Sequence, residues 1–127
     1  MSEREIGVEV STTLNLPSVR EMRFDVDKLG THRTACQASI ERLERQIENQ
    51  KHEKAHLLKL VEDPVEDGIR YSPEACARAA EKCDANVGMF NALIKKERAK
   101  VAQLSYMVGE IEKRIWLSEQ MSQSTGS

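Results

Sequence analysis

The fold of this chain is decided by residues 72–121, SPEACARAAEKCDANVGMFNALIKKERAKVAQLSYMVGEIEKRIWLSEQM. The stretch opens on Ser72, a residue type that caps the free N–H groups of a first helical turn, and Pro73 suits the first helical position. The acidic Glu74 favours the positive end of the helix dipole. Because no further proline follows, the stretch predicts one helix over about residues 73–121, and residues 123–127 are expected to form a flexible tail.

Apolar side chains recur along this stretch at alternating steps of four and three residues. This spacing is typical of a helix whose a and d heptad positions pack against another helix, as in a coiled coil. Only Glu97 and Ser118 in the set are polar. We call the set the second seam, and it consists of Cys76, Ala80, Cys83, Val87, Phe90, Ile94, Glu97, Val101, Leu104, Val108, Ile111, Ile115 and Ser118.

The first half of the chain repeats the pattern with two polar interruptions, Gln50 and Lys54. It predicts a helix over about residues 31–62, which ends there because the residue before Pro64 disfavours the helical conformation. We call its a and d positions the first seam, and they are Cys36, Ile40, Leu43, Ile47, Gln50, Lys54, Leu57 and Val61.

Residues 63–72, DPVEDGIRYS, contain a proline and a glycine and predict a loop between the two helices. A short connection makes the helices antiparallel neighbours, so residues 30–122 are expected to form a helical hairpin. Folding the chain back at this loop brings apolar positions of the two seams together. The expected pairs are Val61 with Cys76, Ile47 with Phe90, and Cys36 with Val101.

Polar residues in the seams need partners. Gln50 and Lys54 are expected to face Val87 and Cys83, and Lys54 can extend towards Asp84. Glu97 is expected to face Ile40. It has two interpretations: it fixes the register of the two helices, or it meets a cation from another protomer.

The N-terminal residues 1–29 are expected to be an extended or β segment. Apolar and polar residues alternate over residues 6–16, which predicts a half-buried strand. Residues 18–30 fit two patterns: Ser18 and Glu21 form a capping box that would start a helix, whereas Met22, Phe24 and Val26 alternate as in a strand. We favour the two-strand interpretation, with Gly30 as the break and Thr31 as the cap of the following helix.

The composition limits the class of protein. The chain has 127 residues, 31% of them charged and 4% aromatic, and a formal net charge of −2. These values favour one helical domain over a nucleic-acid binder. We expect no membrane span, no signal peptide, a cytoplasmic location (or a particle assembled in the cytoplasm), and reduced thiols at Cys36, Cys76 and Cys83.

Two motifs of the sequence are candidate sites of chemistry. His52-Glu53-Lys54-Ala55-His56 matches the HExxH of zinc hydrolases, but a third ligand is missing and both histidines are expected on the solvent side. The basic run of residues 95–100 could contact nucleic acid, but a helix spreads its cations over several sides. We therefore predict no catalytic residues, no metal, no cofactor and no small-molecule substrate, with an accessory nucleic-acid protein and a zinc hydrolase as alternatives.

Apolar residues outside the seams indicate a further contact surface, since a two-helix hairpin leaves most of each helix exposed. Leu58 and Leu60 are such residues on the first helix. We predict a mainly α, oligomeric hairpin, most simply a dimer, that binds other proteins as an assembly component, inhibitor or adaptor. Its predicted interface residues are Ile6, Val8, Val10, Tyr106, Met107, Trp116, Leu117 and Met121.

Overall fold

A computed structural model describes residues 17–126 of the chain. Helix α1 spans Val19–Glu62, strands β1 and β2 span Val65–Glu66 and Ile69–Arg70, and helix α2 spans Pro73–Gly126. The chain divides into two compact units. We call Met1–His32 with Leu104–Ser127 the terminal unit, and Arg33–Gln103 the central unit.

Helix α1 begins at Val19, so the two-strand interpretation of residues 18–30 is wrong and the helical alternative is correct. The Ser18 hydroxyl accepts a hydrogen bond of 3.1 Å from the Glu21 N–H, as a helix cap does. Met22 is buried in phase with the first seam. Thr31 lies inside the helix, where its hydroxyl donates to the carbonyl of Asp27 four residues back, and so it caps nothing.

Helix α2 starts where the sequence predicts and ends later. The Ser72 hydroxyl accepts a hydrogen bond of 3.3 Å from the Ala75 N–H, which confirms Ser72 as the cap. The helix continues to Gly126, so the expected tail over residues 123–127 is wrong for residues 123–126. These residues include no proline that would stop the helix before Gly126.

In the central unit, residues 33–62 of α1 pack against residues 73–103 of α2. Its buried apolar side chains come almost entirely from the two seams, as the heptad spacing predicts. Leu60 is the exception. The buried set is Cys36, Ile47, Leu60, Cys76, Ala80, Cys83 and Ile94.

Polar contacts within the central unit confirm the predicted antiparallel alignment. The Lys54 ammonium lies 2.8 Å from the Asp84 carboxylate, as expected from the sequence. The Asn86 side-chain amide donates to the Gln50 side-chain oxygen at 3.1 Å. These two contacts satisfy the polar positions of the first seam and hold one alignment of the helices.

The connection between the helices, predicted as a loop over residues 63–72, contains a short β-hairpin. Val65 pairs with Arg70 and Glu66 with Ile69 in an antiparallel ladder. Asp67 and Gly68 at its tip both have positive φ, of 52° and 77°. Two consecutive positive φ values are typical of the type I′ turn, for which Asp-Gly is a preferred sequence.

Leu60 is buried although it lies outside the first seam, whereas Leu58 is exposed. Glu66 of β1 lies 2.7 Å from His56 of α1. Since His56 and Leu60 are four residues apart, they share one face of α1. The contact with His56 therefore places Glu66 of the hairpin beside this face of α1.

The terminal unit, as far as it is described, contains residues 17–32 and 104–126. Met22, Leu104 and Val108 are its buried apolar side chains. The Arg23 guanidinium donates a hydrogen bond of 2.6 Å to the Glu119 carboxylate, which links α1 to α2 inside this unit. Both residues flank the seams, and their contact shows that α1 and α2 are also antiparallel within this unit.

Candidate interaction surface

The terminal unit exposes five large apolar side chains on α2, the ones that the sequence singled out. Their exposed fractions lie between 40% for Met107 and 69% for Tyr106 and Met121. A helix that packed only through its seam would carry polar residues at these positions. The set is Tyr106, Met107, Trp116, Leu117 and Met121.

Three of these residues lie on one face of α2. Successive steps of three, four, three and four residues place them in a row, because residues at these spacings are neighbours on a helix. Tyr106 borders the row, four residues before Glu110. We call the row the outer stripe, and it consists of Met107, Glu110, Arg114, Leu117 and Met121.

Trp116 lies on a different side of the unit. It is turned by about 100° from Leu117 around the helix axis. It borders a groove of about 400 Å³ between α1 and α2, across which Arg23 and Glu119 form their ion pair. The groove is lined by Arg23, Val26, Asp27, Glu112, Ile115, Trp116 and Glu119.

Further exposed apolar residues escaped the sequence-based prediction. Phe24 is 65% exposed in the terminal unit, and its place outside the seam follows once α1 is known to begin at Val19. In the central unit Met89 and Leu93 are exposed on α2. Their spacing of four residues, off the seam, was the available signal.

The two histidines of the HExxH motif have different surroundings. The Nε2 atom of His56 lies 2.7 Å from the Glu66 carboxylate, which holds the β-hairpin against α1. His52 is exposed and lines a groove together with Arg45, Glu48 and Asn49. Among residues 17–126, no group of three or more His, Cys, Asp or Glu side chains is arranged to hold a metal ion.

The basic run of residues 95–100 lies close to acidic groups of its own unit. Lys95 and Arg98 line a groove together with Glu44 and Glu48 of α1. Lys100 forms an ion pair of 3.2 Å with Glu97. Lys95, Arg98 and Lys100 therefore lie near carboxylates, which weakens their attraction for phosphate.

The carboxylate of Glu97 has partners within the central unit. It is largely buried, and besides Lys100 it forms a hydrogen bond with the Cys36 thiol. This contact agrees with a role in fixing the helix register. The interpretation in which a cation of another protomer reaches Glu97 stays a prediction.

The three cysteines are buried free thiols, as the seam predicts. Burial raises the pKa of Cys36, and the hydrogen bond and negative charge of Glu97 raise that pKa further. Burial likewise raises the pKa of Cys83, with smaller contributions from Glu53 and Asp84. A raised pKa disfavours the thiolate, so these side chains act as small apolar groups and poor nucleophiles.

The predicted interface residues Ile6, Val8 and Val10 lie outside the described residues.

Over the described part of the chain, neither helix has an apolar stretch of the length and composition that crossing a membrane requires. Searches against protein-family models, curated proteins and solved structures found no match to this chain.

Proposed function

We propose that this chain is a non-enzymatic protein-interaction module, an assembly or scaffold component or a small adaptor or inhibitor, that binds through α2 of the terminal unit. One observation carries the proposal: five large apolar side chains are exposed on the last turns of this helix. So many large apolar side chains exposed to water on one helical segment are typical of surfaces that bind protein. Trp116 and Tyr106 are residue types enriched among those that contribute most binding energy.

The packing inside the terminal unit supports a binding role, because it holds α2 against α1. Within the terminal unit, the buried Met22, Leu104 and Val108 and the ion pair between Arg23 and Glu119 hold α1 and α2 together. A helix held in this way can present an apolar face to another helix or to a groove without first having to fold.

Site-specific photo-crosslinking in the cells that produce the full chain tests the proposal. A photoreactive amino acid replaces Leu117 in one variant and Leu93 in the control. Both residues are exposed leucines of α2, but only Leu117 belongs to the terminal unit. We expect position 117 to form a discrete crosslinked species and position 93 to form little.

The size of the crosslinked species identifies the partner. A species of twice the chain mass means self-association through α2, and any other discrete mass means a different protein. Absence of a crosslink at position 117, or equal crosslinking at 93, would contradict the proposal.

A further inference from the structure

Four of the five residues of the outer stripe are complementary to the same four residues of a second α2 that runs antiparallel to the first. Placing Met107 opposite Leu117 of a second helix also places Glu110 opposite Arg114. The symmetry of the pair repeats both contacts on the other side of its axis. Four side chains of the stripe thus match in two apolar and two ionic contacts, all formed by the terminal unit.

The geometry of a helix allows this pairing. Glu110 and Arg114 lie about 6 Å apart along the axis, and Met107 and Leu117 about 15 Å apart. A two-fold axis at the level of residue 112 therefore has an ion pair close on each side and an apolar pair further out. This is the residue-to-residue reciprocity that an isologous interface requires.

We propose that a second copy of this chain docks on the outer stripe in this alignment. The proposal rests on the proposed function and specifies its partner. All four side chains are accessible, with Met107 40% and Leu117 54% exposed. Glu110 contacts Lys113 at 3.2 Å on its own helix, but an exposed pair of this kind is weak and is readily exchanged for Arg114 of the second copy.

Charge favours a second copy over residues 6–16 of the same chain as the occupant. That segment, IGVEVSTTLNL, offers apolar side chains and one carboxylate but contains no lysine or arginine. It could neutralise Arg114 but would leave Glu110 facing apolar groups. The second helix supplies a partner of opposite charge to both residues.

Charge reversal in the full chain tests the alignment, with the dimer dissociation constant measured by light scattering over a dilution series. Arg114→Glu and Glu110→Arg each turn both ionic contacts into repulsions. Each is expected to raise the dissociation constant roughly tenfold or more. The control is Arg20→Glu, which reverses an exposed cation of α1 in the same unit. This variant is expected to leave the dissociation constant unchanged.

Two restorations make the test specific. An equal mixture of Arg114→Glu and Glu110→Arg chains is expected to form a heterodimer, because each glutamate then faces an arginine. The double variant is expected to dimerise like the original chain.

A monomeric original chain, or a dimer that neither reversal weakens, would overturn the self-docking proposal. A crosslink from position 117 to a different protein would then still leave the proposed function standing.

Discussion

Ile94→Ala is expected to lower the free energy of unfolding by about 2–4 kcal/mol, since it removes buried methyl groups and leaves a cavity. Ile94 is 5% exposed and lies in the middle of the second seam. It faces the α1 segment that contains Glu44 and Ile47, with which it lines one groove. Urea unfolding followed by circular dichroism at 222 nm measures the change.

The preceding residue provides the control. Leu93 is 41% exposed, so Leu93→Ala loses less contact and should cost well under half as much as Ile94→Ala. Both variants are compared at one protein concentration, since self-association adds to the apparent stability. Equal losses for the two variants would contradict the assignment of the buried face.

Ala80→Glu is expected to cost about 3 kcal/mol or more, because it forces a bulky, charged side chain into a packed seam. Ala80 is 3% exposed, the least of the buried apolar residues in the described part of the chain. The melting temperature, monitored by loss of helical signal, should fall by several degrees or more.

Ala85→Glu makes the same chemical change at an exposed position of the same helix. Its expected effect is within about 0.5 kcal/mol of zero. A small effect of Ala80→Glu, similar to that of Ala85→Glu, would mean that the two helices do not pack through the seam in solution.

The helical hairpin could be predicted from the sequence because the seams repeat over many heptads. One wrongly assigned residue changes little in so long a pattern, and partners such as Lys54 and Asp84 follow from the alignment of the seams. The antiparallel order follows from the short connection of residues 63–72, because two long helices joined by a short connection pack as antiparallel neighbours.

Residues 18–30 were harder because their local patterns conflict. Met22, Phe24 and Val26 alternate as in a strand, whereas Met22 and Val26 also fit the helical spacing. The helix forms because Met22 is buried in phase with the seam and Ser18 caps the first turn, two effects that act over different distances. A window of three alternating residues contains neither.

The β-hairpin and the candidate surface show two further limits. Asp67-Gly68 was a sufficient local signal for a tight turn, but its strands are so short that alternation could not reveal them. For the surface, the sequence identified the apolar residues of α2 but not their separation into the outer stripe and the Trp116 groove. That separation depends on which flank of α2 faces α1.

The solution mass of the full chain, measured by multi-angle light scattering, tests the central claim most directly when it is compared between two matched variants. Leu117→Gln/Met121→Gln makes the terminal-unit surface polar, and Met89→Gln/Leu93→Gln makes the same changes in the central unit. We expect a dimer for the original chain and for the central-unit variant, and a monomer for the terminal-unit variant. A terminal-unit variant that keeps the mass of the original dimer would contradict the claim that α2 of the terminal unit is the binding surface.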